Sequence, residues 1–247
     1  MSTKTKDTGE QITAALIGNP NVGKTEIFNR LTGLSQRVGN FPGVTVEKKV
    51  GRFIHQGQVV DVVDLPGTYS LTAKALDELV ARDFIVEEKP NVVVDIVDGT
   101  SLERNLYLTF LLMELDANLV IALNRWDLVK ARKINVDLDR LSELLGAPIV
   151  ATVATTGEGL EDLKSSIIKV AHDQKKSKAI LDYGNDVEAG IKSISAVLNE
   201  KPDLLKRYPP RWLAIKLIER DERVLEKANS MFSGLQMAKI LEVIGYE

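Results

Sequence analysis

Gly18-Asn19-Pro20-Asn21-Val22-Gly23-Lys24-Thr25 fits the pattern G-x-x-x-x-G-K-[ST] of a phosphate-binding loop. Its flanks decide the reading. Before it runs Ile12-Thr13-Ala14-Ala15-Leu16-Ile17, an apolar stretch of strand length. After it comes Glu26-Ile27-Phe28-Asn29-Arg30-Leu31, which reads as the start of a helix. Glycines let such a loop wrap close to an anion, and its amides and the helix N-terminus present positive partial charge to it. Lys24 supplies a point charge for the outer phosphates, and Thr25 a hydroxyl for Mg²⁺.

Outward from this loop, strands and helices alternate from Ile12 to about His172. That order predicts the α/β class, a mostly parallel six-stranded sheet of the Ras-like P-loop type with helices on both faces. Residues 1–11 read as a polar tail, 12–173 as the nucleotide domain, and 174–182 as a linker around Gln174-Lys175-Lys176-Ser177-Lys178. A small all-α domain follows over 183–247, with Val187, Ile191, Ile194 and Leu198 on one helical stripe. Ser35 to Gly43 reads as a loop, and Val46–Ile54 with Val59–Val63 as a hairpin turning near Gly57, with His55 exposed. Asn91–Asp98 is a strand in which Asp95, if buried, needs a partner. Thr100-Ser101-Leu102-Glu103 matches a capping box, and Leu106, Phe110 and Met113 mark the inner face of the helix it starts.

Composition narrows the chemistry. The chain has 247 residues, 44% hydrophobic and 27% charged, as ordinary globular proteins do. A net charge of −3 argues against nucleic acid as a partner. Without cysteine there is no disulfide and no thiolate, and two separated histidines, His55 and His172, argue against a transition-metal site within the chain. No apolar run reaches membrane-spanning length.

Two further motifs give the loop a nucleotide. Val59–Val63 runs into Asp64-Leu65-Pro66-Gly67, a D-x-x-G at a strand end, where Asp64 can hold a Mg²⁺-bound water and the Gly67 N–H can meet a γ-phosphate. Leu119–Leu123 ends in Asn124-Arg125-Trp126-Asp127, which resembles the N-K-x-D base-recognition motif of GTPases. Guanine offers two donors on one edge, which one carboxylate, Asp127, accepts together; adenine offers no such pair. Asn124 is expected to tie this loop to the phosphate loop. Arg125 departs from the usual lysine, and arginine is not its equivalent. Val153-Ala154-Thr155 stands where GTPases usually carry Ser-Ala-Lys, with the Ala154 N–H expected to meet guanine O6. Thr45, in Gly43-Val44-Thr45-Val46, is best placed to reach Mg²⁺ and the γ-phosphate. The candidate nucleotide residues are therefore 18–25, 43–45, 64–67, Asn124, Arg125, Asp127 and 153–155, with Thr25, Thr45 and Asp64 on Mg²⁺ and Thr45 and Gly67 acting in the reaction.

The phosphate loop, Gly39-Asn40-Phe41-Pro42-Gly43-Val44-Thr45-Val46-Glu47 and Asp64-Leu65-Pro66-Gly67-Thr68-Tyr69-Ser70-Leu71 resemble the FeoB family of ferrous-iron transport proteins. Leu102-Glu103-Arg104-Asn105-Leu106-Tyr107 and Tyr208-Pro209-Pro210-Arg211-Trp212-Leu213-Ala214 match it too. The resemblance covers about residues 12 to 247. It implies the cytoplasmic N-terminal region of a longer membrane protein, with GTP hydrolysed to GDP and phosphate. It also implies a helical domain that inhibits nucleotide release. The implied partners are the transporter's own membrane domain, a small FeoA-like protein and a second copy of the chain. Some FeoB-like and tRNA-modifying GTPases replace an arginine finger with K⁺ held partly by a phosphate-loop Asn, so the resemblance implies that Asn21 binds K⁺ and acts in the reaction. Thr68 stands where Ras-like proteins carry a water-orienting Gln, so turnover is expected to be slow. A soluble GTPase of ribosome or tRNA maturation, a GTP-bound interaction module with negligible turnover and an ATPase or kinase remain as alternatives.

Overall fold

The computed structural model describes residues 11–33, 35–72, 75–173, 181–206 and 208–245. Residues 1–10 of the expected tail and 174–180 of the expected linker lie outside them. The chain divides into two units, Met1–Thr109 with Ala117–Ala179, and Phe110–Asp116 with Ile180–Glu247.

The first unit is built on seven strands in the order β2-β3-β4-β1-β5-β6-β7. They are β1 (Ile12–Gly18), β2 (Gln36–Asn40), β3 (Glu47–His55), β4 (Gln58–Asp64), β5 (Val92–Asp98), β6 (Leu119–Asn124) and β7 (Ile149–Ala151). The pairs β4-β1-β5-β6-β7 are parallel and β2-β3-β4 antiparallel. The helices are α1 (Lys24–Thr32), α2 (Leu76–Asp83), which runs into a π-helical turn Phe84–Glu88, α3 (Leu102–Glu114), α4 (Trp126–Ala131), α5 (Leu138–Leu145) and α6 (Leu160–Asp173).

The seventh strand corrects the expected six. Gln36–Asn40 is polar and mostly exposed, so no apolar alternation marks it; it is an edge strand held by backbone pairing to β3. The stretch after it is not all loose either. Phe41 is buried, packs edge-on against Phe84 with ring centroids 6.0 Å apart, and shares with it the Lys48 ammonium, 5.5 and 5.3 Å from the two rings. The hairpin turns on Gln56 and Gly57, both with positive φ, as a two-residue type I′ turn demands.

β1 and β5 are buried along nearly their whole length, as befits central parallel strands. On one face Ala14, Leu16, Val92, Val94 and Ile96 pack with Ile27, Phe28 and Leu31 of α1 and Leu163 and Ile167 of α6. On the other face Asp95 finds a partner. Thr109 of α3 donates its hydroxyl to Asp95 at 2.6 Å. Burial pushes this carboxyl up to about 7, and the Thr109 bond only partly offsets that. His55 is not simply exposed: Nε2 lies 2.9 Å from the Ser165 hydroxyl and Nδ1 3.3 Å from Glu161, so it pins the hairpin to α6.

Two helix readings shift. The cap before α3 is Asp98, which accepts from Thr100 N at 2.9 Å and caps a short 3₁₀ turn, Gly99–Ser101. The fully buried α3 positions are Leu108, Thr109 and Leu112, Met113 is buried as expected, and Leu106 and Phe110 are half-buried.

The second unit contains α7 (Asn185–Leu198), α8 (Pro202–Leu205), α9 (Pro210–Ile218), α10 (Glu222–Met231) and α11 (Gly234–Val243). Ile191, Ile194 and Leu198 face its core, but Val187 is exposed and Val197 takes a core place. The Tyr208–Ala214 segment is structural here. Tyr208 stacks on Trp212 at 5.8 Å and accepts a hydrogen bond from Lys227 at 2.6 Å. Arg211 bonds both oxygens of Glu188, at 2.7 and 2.6 Å, and the Leu181 carbonyl.

Candidate nucleotide site

The site lies at the carboxyl ends of β1, β4, β5 and β6, where ligands bind in open α/β sheets. The register sets it up. Leu16 pairs with Asp64, Gly18 with Ile96, and Asp98 with Asn124, so three motifs distant in sequence end at one edge. Gly18 is confined by this packing: a Cβ there would sit 2.5 Å from the Ile96 carbonyl oxygen. Gly23 has φ +93° and approaches Asn124 so closely that a Cβ would lie 2.4 Å from its Nδ2. The α1 N-terminus carries no side-chain cap, which leaves its first amides facing an open cavity of about 490 Å³ bordered by Asn19, Asn21, Lys24, Thr25, Gly67 and Arg125. Uncapped amides, a lysine and a hydroxyl around such a space fit a magnesium polyphosphate.

Lys24 pairs with Asp64, both side chains nearly buried. Asn124, itself buried, joins three segments: its Nδ2 donates to the Val22 carbonyl at 2.7 Å, and its Oδ1 accepts from Ala154 N at 2.9 Å. The expected tie to the phosphate loop is therefore present. The second bond gives the Ala154 N–H an acceptor within the protein. Thr155 lies in the tight turn after β7, its carbonyl held by Arg30 of α1, and Val153 N bonds the Glu158 carbonyl at 3.0 Å. Asp127 stands exposed in the first turn of α4, with no hydrogen-bond partner among the described residues.

Arg125 answers the question its substitution raised. Its φ of +61° turns the chain into α4, and its guanidinium reaches two acceptors, Asp98 at 2.8 Å and the Asn21 carbonyl at 2.6 Å. A lysine offers a compact point charge instead of this fork. Asn21 itself has φ +67° and an exposed side chain. Thr68 cannot stand in for a water-orienting Gln: it is buried, its N–H bonds the Gly18 carbonyl at 3.1 Å, and its hydroxyl donates to the Ser70 carbonyl at 2.8 Å. Pro66 and Leu65 shape the same turn, with Leu65 N on the Leu16 carbonyl at 2.9 Å. Gly43, Val44 and Thr45 do not border the cavity; Thr45 is exposed. Among the described residues no three His, Cys, Asp or Glu side chains gather as a metal site.

Two residues escaped the sequence reading. Asp98 was visible as an acid closing an apolar strand, as Asp64 does, but no motif names it. Arg30 acts across 125 residues of sequence, which no local pattern reveals.

Comparison with known proteins now separates this arrangement from other P-loop proteins. The family profile for ferrous iron transport protein B matches residues 12–167, and that for the FeoB cytosolic helical domain matches residues 183–244. This chain belongs to the FeoB family. The Fe(2+) transporter FeoB of Methanocaldococcus jannaschii is 53% identical over 212 residues, covering 86% of this chain and 31% of that protein. The Fe(2+) transport protein A/Fe(2+) transporter FeoB fusion protein of Porphyromonas gingivalis is 41% identical over 222 residues, 89% of this chain and 26% of that one. The chain thus spans about a quarter to a third of these relatives. The solved cytosolic domain of the T. maritima FeoB iron transporter is similar over 96% of this chain and 97% of that one in a GDP form, with TM-score 0.85 and 36% identity. Its GMPPNP form gives TM-score 0.83 at 37% identity over 95% and 96%. The fold is therefore a FeoB-type P-loop GTPase domain followed by a helical domain, and no helix of the described residues is long and apolar enough to cross a membrane.

Proposed function

We propose that this chain is the guanine-nucleotide switch of a ferrous-iron transporter. It binds GTP and GDP with Mg²⁺ and hydrolyses GTP slowly, with K⁺ accelerating the reaction. The observation that carries the reading is Asn124 joining the phosphate loop to the base loops while Asp127, exposed in the first turn of α4, has no hydrogen-bond partner among the described residues. Two donors on the guanine edge satisfy that carboxylate; adenine leaves it unpaired, at a cost of order tenfold or more in affinity. Residues 18–25 and Gly67 would hold the phosphates, Thr25, Asp64 and Thr45 the Mg²⁺, and Arg125 would keep the phosphate loop in place from behind. Bound Mg²⁺ supplies neutralising charge between the phosphates. Asn21, its side chain exposed beside the cavity, would offer its carbonyl oxygen to K⁺, which takes the charge-neutralising part of an arginine finger.

The membrane domain of the full protein, a FeoA-like protein and a second copy are the partners this reading carries; the fused relative of P. gingivalis supports the second. The helical domain is proposed to slow nucleotide release. Because the Thr68 hydroxyl is already committed, a second reading is a GTP-bound interaction module with negligible turnover.

One experiment tests both. GTP and ATP turnover are measured in K⁺ and in Na⁺ at equal ionic strength, for the wild type, Asn21→Ala and Asp127→Ala. GTP turnover should be several-fold faster in K⁺, Asn21→Ala should remove that difference, and Asp127→Ala should lose guanine preference. Equal rates in the two salts would refute the K⁺ role, and no turnover in either would favour the second reading.

A further inference from the structure

Behind the phosphate loop lies a second cavity, of about 220 Å³, whose borders include Asn19, Tyr69, Ser101, Arg104 and Asn105. A chain of polar contacts surrounds it. Starting at the phosphate loop, the Asn21 carbonyl accepts from Arg125, and Arg125 donates on to Asp98. The Asp98 N–H donates to Asn105 Oδ1 at 3.4 Å, on the first turn of α3. Beside Asn105, Arg104 stacks on the Tyr69 ring with its guanidinium carbon 4.9 Å from the centroid, and donates to the Tyr69 hydroxyl at 3.0 Å. Thr68, next in sequence, returns the chain to the phosphate loop through the Gly18 carbonyl. Asn19 sits on that closing segment. Its side chain is buried, and neither its Oδ1 nor its Nδ2 has a hydrogen-bond partner among the described residues. A buried amide with both ends unpaired is costly in a native protein, and it calls for a group that the protein itself does not supply.

The surroundings state what that group is. Asp98 is matched by Arg125, so the pair is close to neutral as seen from the cavity. Arg104 then leaves one positive charge in excess. The N-terminus of α3, a helix of thirteen residues, ends at the same wall and adds the favourable end of its dipole. Asn19 offers donors to an oxyanion and an acceptor to its protonated oxygen. Asn19, Asn21 and Arg125 border this cavity and the phosphate cavity alike.

We infer that the cavity enclosed by Asn19, Arg104, Asn105 and Tyr69 is a binding site for inorganic phosphate, distinct from the nucleotide phosphate site and filled while GDP is bound. The inference rests on the GTPase reading for its source of phosphate: hydrolysis releases one phosphate across the same stretch of backbone. It makes the P-loop a wall between a site that holds the phosphates of GDP and one that holds the separated product. Tyr69 follows the Asp64–Gly67 turn directly, so an anion held against Arg104 would also fix the segment that must move when the γ-phosphate is lost.

The test uses the 247-residue chain saturated with Mg²⁺ and GDP, titrated with sodium phosphate by calorimetry with sodium chloride at matched ionic strength as the blank. The expected result is one phosphate per chain, weakened at least tenfold in Arg104→Gln, with GDP affinity within twofold of the wild type in both. In a single turnover of GTP, a phosphate-sensor signal should lag quenched-flow cleavage in the wild type, and the lag should shorten in Arg104→Gln. Binding lost in Lys24→Ala but untouched in Arg104→Gln would place the anion in the nucleotide site and overturn the inference. Absence of phosphate binding at up to tens of millimolar with GDP bound would do the same. Failure to bind GDP at all would instead defeat the GTPase reading, so the two are told apart.

Discussion

Replacing Asn124 by alanine is the most informative single change in this protein. The side chain is 2% exposed and bonds two backbone groups that have no other partner among the described residues, the Val22 carbonyl at 2.7 Å and the Ala154 N–H at 2.9 Å. Leaving a buried polar group unsatisfied costs about 1–3 kcal/mol, so the two together come to about 2–6 kcal/mol. For a unit of this size each kcal/mol lowers Tm by about 2–4 °C, which gives a fall of about 4–24 °C. The same side chain sets the spacing between the phosphate loop and the turn after β7, so GDP affinity should fall by about tenfold or more in the fraction that remains folded. Asn124→Asp sharpens the reasoning. It keeps an acceptor for Ala154 but turns a second oxygen toward the Val22 carbonyl, replacing a bond by repulsion between lone pairs. It should be no more stable than the alanine variant despite its closer shape. The assays are thermal unfolding by circular dichroism and GDP titration at a temperature where each variant is folded. A Tm loss below about 2 °C with GDP affinity within twofold would refute the reasoning, because it would mean these backbone groups find other partners when Asn124 is removed.

Asp95→Asn should alter how stability depends on pH. The Asp95 carboxyl titrates at about 7 in the folded chain and at its ordinary value near 3.8 when unfolded, so between those values the native state holds the extra proton, and stability falls as pH rises through that window. Glu114, pushed up to about 7 by burial and eased by Lys216, contributes with the same sign; the difference between wild type and Asp95→Asn from pH 4 to 8 in urea isolates the Asp95 share, and a difference that does not change with pH would count against it. Phe41→Ala should cost about 3 kcal/mol, the usual loss for a buried Phe, and raise hydrogen exchange over residues 36–46. In the wild type, exchange slowed by a GTP analogue but not by GDP should be concentrated at 42–45; equal slowing at 36–41 would show that Phe41 is not an anchor.

The local motifs were legible because they are local. A glycine loop between an apolar strand and a helix, a D-x-x-G at a strand end and an N-x-x-D at another are each set by a few residues of backbone geometry and donor chemistry, and their order along an α/β chain brings them to one sheet edge by topology alone. The two-residue turn at Gln56-Gly57 was readable for the same reason. What the sequence left open depends on partners far away in the chain. Gln36–Asn40 forms a strand because β3 offers it an open edge, although its own side chains carry no strand pattern. The Thr109 hydroxyl that meets Asp95, the Asp98 and Asn21 oxygens that divide Arg125 between them, and the Arg30 side chain on the Thr155 carbonyl are pairings between elements. Thr68 was visible as a missing Gln, but only the fold reveals that its hydroxyl is turned back on the Ser70 carbonyl. Hydrophobic periodicity tells which face of an element is buried, and says nothing of which polar atom lies opposite. That is decided when the packed elements fix distances to within a few tenths of an ångström, the scale on which a hydrogen bond is made or lost.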